Sequence, residues 1–299
     1  MPKICYRQKK FNADRMDKIG KANTIIAEYA AQGFQLTLRQ LYYQFVSRDY
    51  IANNQREYKN LGDIINDARL AGLVDWEAIV DRTRNLQKLA SWESPSDIIS
   101  ACANQYRIDK WEDQERRVEC WIEKDALVGV IEGVCNELQI PYFSCRGYTS
   151  QSEMWAAAMR LREHMRNGQT PLILHLGDHD PSGKDMTRDI TDRLAEFSGR
   201  EVEIQRLALN MPQVEQYNPP PNPAKITDSR AEGYIAEFGD ESWELDALEP
   251  AVIATLIRDA VYAVRDADKW AAKQADEEVQ KAQLSKVSNQ WETITENLE

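Results

Sequence analysis

The apolar positions of this chain change rhythm once along its length. Through the first ninety residues they recur at helical spacing. Leu38, Leu41, Tyr42 and Phe45 fall at i, i+3, i+4 and i+7 and form one stripe. Ahead of them Thr37 and Gln40 read as a capping box, each side chain satisfying a free amide of the first turn. Leu61, Ile64, Ile65 and Ala68 repeat the spacing in a second helix over 58–71, with Lys59, Asn66 and Arg69 off the stripe and Gly72 as its stop. The segment 76–84 ends on two arginines, Arg82 and Arg84.

Over 91–117 the pattern loosens around Ser94-Pro95-Ser96 and clustered charge, so the domain junction belongs there. Beyond it, short apolar runs at 118–122, 140–145, 172–176 and 202–209 alternate with helical stretches at 125–138, 152–165 and 183–197. Strands alternating with helices predict an α/β unit with a mostly parallel four-stranded sheet. The proline-rich 218–223 is a stiff connector, and from Pro250 onward Val252, Ile253, Leu256, Ile257 and Val261 predict long helices that pack on a partner surface. The division is therefore 1–90 helical, 91–117 linker, 118–249 α/β, and 250–299 a C-terminal helical segment. Helix, turn, helix and basic extension is also the outline of a winged helix, a fold that docks on duplex DNA.

Composition changes this picture only slightly. The net charge of −12 argues against a nucleic-acid partner, but the charge is uneven. Residues 1–90 carry 15 basic and 10 acidic side chains, whereas 201–299 carry 9 and 20. A DNA-facing surface belongs in the first third, with Lys59, Asn66, Arg69, Arg82 and Arg84 as its backbone contacts. Five scattered cysteines without a CxxC pair, no secretory leader and no apolar run near 18 residues point to the cytoplasm and to no membrane span.

The chemistry concentrates in Asp178-His179-Asp180-Pro181-Ser182-Gly183, directly after the third apolar run. Ligands of open parallel sheets bind beyond the carboxyl ends of the strands. Two carboxylates two residues apart turn to one side of an extended chain, and Glu123 at the end of the first run reaches the same edge. Three hard oxygen ligands suit Mg²⁺, and such ions can clamp the attacking and leaving oxygens of a phosphodiester. The competing reading is a solvated turn, since Asp, Pro, Ser and Gly are ordinary turn residues. His179 reads as a neighbour of the carboxylates rather than a ligand, and His164 and His175 as packing or surface residues. Glu244 and Asp246 read as part of a structural turn, with a place near the metal as the second option.

The ordered set Cys120-Trp121-Ile122-Glu123-Lys124-Asp125-Ala126, Gly147-Tyr148-Thr149-Ser150 and Asp178 to Gly183 resembles a Toprim domain. It is most similar to the version in the DNA-cleaving A subunit of type IIB topoisomerases (topoisomerase VI), over about residues 118–210. The resemblance implies that Glu123, Asp178 and Asp180 hold the metal. Arg39-Gln40-Leu41-Tyr42-Tyr43 is similar to the family's winged-helix element and assigns the nucleophile to Tyr43. Tyr43 is rotated about 100° from Tyr42, so it is expected to face out, with Arg39 one turn earlier favouring its phenolate. The implied reaction is a transesterification that leaves a 5′-phosphotyrosyl link and a 3′-hydroxyl on double-stranded DNA. It implies a homodimer, in which the tyrosine of one subunit meets the metal of the other.

The chain departs from the family in two respects: some forty residues precede Tyr43, and no Gly-rich ATP-binding motif is present. It looks like a short orphan A-type protein of the kind found in phages and mobile elements. Any ATP-driven strand passage would need a separate ATPase subunit. The alternatives are a Toprim nuclease that uses water and a DNA-binding protein that does not cleave.

Overall fold

A computed structural model describes residues 3–80 and 89–297; Arg82 and Arg84 lie outside the described residues. Three helices open the chain: α1 (Ala13–Ala31), α2 (Leu38–Ser47) and α3 (Gln55–Leu70). Each starts on a side chain that accepts a first-turn amide, from Asn12, Thr37 and Asn54. The capping box at Thr37 and Gln40 is present as the sequence predicts. The second stripe also holds, because Leu61, Ile64, Ile65 and Ala68 are the buried face of α3. Isolated bridges, Cys5 with Ala71 and Leu36 with Ile79, tie the chain on either side of these helices.

The stretch expected to be a linker contains a helix, α4 (Pro95–Gln105), started by Ser94 and packed along α11 (Ala267–Asn289). After it come β1 (Arg116–Ile122), α5 (Val128–Glu137), β2 (Tyr142–Ser144), α6 (Gln151–Arg166), β3 (Thr170–Leu176), α7 (Pro181–Ser198) and β4 (Glu203–Ala208). The four strands form one parallel sheet in the order β2-β1-β3-β4. Side-chain alternation sorts its two faces. Val118, Cys120, Ile122, Leu172 and Leu174 enter a core with α5 and α10 (Pro250–Val264). Trp121 and Ile173 point the other way, into a core with α6 and α7. Glu119 lies on that second face, where both its oxygens accept from Arg160 at 2.8 and 2.9 Å. A mixed α/β architecture with a parallel sheet therefore stands as read from the sequence.

The remaining chain returns across the top of the sheet. After α8 (Met211–Tyr217), β5 (Asn222–Pro223) pairs antiparallel with β6 (Glu241–Ser242), with α9 (Ala231–Phe238) between them. The proline-rich connector thus supplies a two-residue edge strand. His179 and Trp243 then exchange backbone hydrogen bonds of 2.8 and 2.9 Å, which draws the segment after β6 onto the turn after β3. A 3-10 turn at Leu245–Ala247 follows and packs against α2, with Ala247 buried in the core of the N-terminal helices. The chain closes with α10, α11 and α12 (Trp291–Glu296). No helix of the described residues is long and apolar enough to cross a membrane.

Candidate metal centre

The carboxyl edge of the sheet is built from close backbone approaches. Glu123 follows β1, and its Oε2 accepts the Asp178 amide at 2.8 Å. A Cβ on Gly177 would stand 2.9 Å from that oxygen, so a larger residue before Asp178 would displace the Glu123 carboxylate. A Cβ on Gly183 would come within 2.3 Å of the Asp178 carbonyl oxygen, which fixes a second glycine where the turn enters α7. Asp180 caps that helix: its Oδ1 accepts from Gly183 N at 2.6 Å and from Ser182 Oγ at 3.0 Å. Behind the turn lies Arg206, a half-buried guanidinium on β4. It donates to the carbonyls of Asp178 (2.5 Å) and Gly183 (2.8 Å) and to Thr187 Oγ1 (2.8 Å).

The two aspartates of the motif diverge. Asp178 turns to the segment after β6, where its Oδ1 accepts the Leu245 amide at 2.8 Å and its Oδ2 lies 2.8 Å from Lys124 Nζ. Asp180 faces the exposed Lys225 at 3.7 Å. One carboxylate oxygen each of Asp178, Glu244 and Asp246 lies within 4.8 Å of the other two. A buried acidic cluster of this kind could hold a metal ion. Of the other two expected ligands, Glu123 holds the Asp178 amide and Asp180 caps α7, and neither belongs to the cluster.

Glu244 and Asp246, for which the sequence favoured a structural turn, are thus brought into the site. The His179–Trp243 pairing does this, and no local pattern announces it. Lys124 was missed too. Its ammonium stands 2.5 Å from both Glu244 Oε2 and Asp246 Oδ1 as well as 2.8 Å from Asp178. The available signal was a charged residue directly after Glu123, at a strand end where charge must find partners. His179 is a neighbour and no cluster member. Its ring packs edge-on to Tyr234, Phe238 and Trp243, and its Nδ1 bonds the Tyr234 hydroxyl at 2.7 Å. His175 is buried on Thr187.

Charge in the cluster is unevenly compensated. Burial pushes the Asp178 carboxyl up to about 7; Lys124 pulls it down, while Glu123, Asp246 and Glu244 add to the rise. Glu123 is raised by burial against the Asp178 amide and Lys124. Burial opposes ionisation of Glu244 as well, but Lys124 and Arg39 hold it below its ordinary value. Lys124 stays protonated, since Asp178, Asp246 and Glu244 outweigh its burial.

Arg39 connects this cluster to α2. Its guanidinium pairs with Glu244 and, at 2.9 Å, with Asp246 Oδ2, while lying 5.7 Å over the Tyr43 ring. The expectation that Tyr43 faces out is overturned, for it is only 4% exposed. The stripe rule assumes one covered face, but α2 is covered on both sides, by α1 and α3 and by the 245–247 turn. Tyr43 lines a cleft of about 340 Å³ with Arg39, Asn53, Tyr58, Asn222 and Glu244. The expected phenolate is not favoured in this state either. Burial and the Glu244 charge push the phenol up to about 12, against Arg39 and Asn222.

No model of a known protein family matches the chain, and no curated protein matches it. Of the expected DNA contacts, Lys59 and Asn66 are exposed on α3 and Arg69 is half-buried on the same helix.

Proposed function

We propose that this chain cleaves duplex DNA by Mg²⁺-dependent transesterification, as a Toprim protein with a winged-helix partner region, related to the A subunit of type IIB topoisomerases. One observation carries the reading. Arg39, one helical turn from Tyr43, pairs with Glu244 and Asp246 of the acidic cluster, and Tyr43, Arg39 and Glu244 line one cleft. Tyr43 Oη attacks phosphorus, the bond from phosphorus to the 3′ oxygen breaks, and the phenolic proton is lost as the 3′ oxygen gains one. Arg39 orients the phosphate and Lys124 holds the carboxylates in register. Asp178, Glu244 and Asp246 would hold the ion, with Glu123 and Asp180 beside them. When bound there, Mg²⁺ supplies charge neutralisation at the phosphate. A homodimer belongs to the reading, because a double-strand break takes two tyrosines; each works with the cluster of its own chain, not with the partner's as the resemblance implies. A separate ATPase subunit belongs to it only if strand passage follows cleavage.

A second reading has its own support. The nearly complete burial of Tyr43 and its raised phenol favour hydrolysis by water at the same cluster. One assay separates the two. Supercoiled DNA is incubated with the protein and Mg²⁺, then denatured and treated with protease. Peptide attached to 5′ ends, lost in Tyr43→Phe and reduced at least a hundredfold in Asp178→Ala, is the expected result. Free ends that persist in Tyr43→Phe would replace transesterification with hydrolysis. Binding without cleavage in any divalent metal would leave only a DNA-binding role.

A further inference from the structure

A second, larger cleft of about 510 Å³ adjoins the tyrosine cleft and shares Arg39 and Tyr58 with it. It runs between the start of α2 and the outer face of α3. Its walls combine Leu38, Ile65 and Ile79 with the polar side chains of Thr37, Arg39, Tyr58, Asn66 and Arg69. Pockets for small organic ligands have this size and this mix, a mostly apolar lining with a few placed polar groups.

Arg69 gives the cleft its chemistry. The guanidinium donates to the Trp76 carbonyl and lies 4.8 Å over the Trp76 ring, and its Nε is buried without a partner. Among the described residues no carboxylate comes within ion-pair distance of it. Asp75 acts on it only from beyond ion-pair distance, and a half-buried cation that lines a cleft without an ion pair can take an anion. Asn66 stands one turn before it on α3, exposed and able to donate and accept at once, as a base edge requires. Lys59 lies two turns further back on the same side, also without an ion pair among the described residues.

We propose that this cleft binds a nucleoside monophosphate unit, with its phosphate on Arg69, its base between the apolar wall and Tyr58, and its edge read by Asn66. A base inside a duplex cannot enter a pocket, so a DNA-borne occupant is a nucleotide extruded from the stack. Only its position next to the attacked phosphate rests on the cleavage reading. The binding itself needs neither Tyr43 nor a metal.

The test is equilibrium binding to the full chain in EDTA. The probes are 2′-deoxyadenosine 5′-monophosphate, a fully paired duplex, and the same duplex with one unpaired nucleotide. Saturable binding of the mononucleotide is expected. It should weaken at least tenfold in Arg69→Met and about threefold in Asn66→Ala, and stay unchanged in Arg188→Met on the far surface of α7. Asn66→Trp, at an exposed helical position, should plug the cleft and abolish binding, and it serves where Arg69→Met fails to fold. A bulged duplex that binds at least fivefold tighter than the paired one, with the difference lost in Asn66→Trp, assigns the site to extruded DNA. Equal duplex affinities beside tight mononucleotide binding assign it to a free nucleotide. Absence of mononucleotide binding, or binding that is the same in Asn66→Trp, overturns the proposal. Absence of the covalent adduct would sink the cleavage reading and leave this one standing.

Discussion

Two buried carboxylate sites in this chain meet opposite fates. On α11, Glu277 is a lone acid supplied with more than it needs. It accepts from Lys281 at 2.9 Å, Lys110 at 3.3 Å and the Ile108 amide at 3.1 Å. Burial alone would raise its carboxyl, but those donors hold it down to about 2. At the sheet edge, three carboxylates share Lys124 and Arg39. Asp178, buried beside the other two, rises to about 7. The first site is finished as a structural clasp between α11 and the chain before β1. The second holds fewer positive charges than negative ones, and that deficit is what a divalent cation would fill.

The comparison breaks most directly at Lys124. Lys124→Met leaves the three carboxylates facing one another and should cost about 3–5 kcal/mol in EDTA. Most of that loss should return in Mg²⁺, as read by urea unfolding with and without the ion. Equal stability in both conditions would make the cluster an ordinary salt-bridge network. Glu277→Ala should cost about 3 kcal/mol, by stranding Lys110, and Mg²⁺ should recover none of it.

The pH profiles should run in opposite directions. The Glu277 carboxyl is depressed, so its stabilisation is complete above its ordinary 4.5 and fades as pH falls toward about 2. The Asp178 carboxyl is raised, so the metal-free cluster loses stability as pH rises from 3.8 through about 7. Unfolding of Glu277→Gln and Asp178→Asn across this range should remove one slope each. A slope near pH 6 that survives in Asp178→Asn would refute the assignment. Lys225→Ala should have the smallest effect, below about 0.5 kcal/mol, because the lysine is exposed and 3.7 Å from Asp180. A loss above 1 kcal/mol by the same measurement would mean that Asp180 depends on it.

Legibility followed how local each cause was. The capping box at Thr37, the buried face of α3 and the apolar run of β1 rest on neighbours a few residues apart. They were readable from the chain. Gly183 stood in a recognisable motif and Gly177 just before it, although the atoms they make room for, the Asp178 carbonyl and Glu123 Oε2, became visible only in the fold. The burial of Tyr43 was unreadable, since the segment covering it lies some two hundred residues later and carries no helical stripe of its own. Helix α4 was hidden by its weak apolar pattern, because its order comes from packing on α11.

The acidic site divides along the same line. By itself the sequence determined that Glu123, Asp178 and Asp180 gather at the carboxyl edge of a parallel sheet, because strand period and turn chemistry are properties of adjacent residues. Only the tertiary structure decided that Asp178 parts from Asp180, joins Glu244 and Asp246 around Lys124, and meets Arg39 from α2. Charges separated by so much chain come together only when the backbone pairing of His179 with Trp243 closes the loop between them.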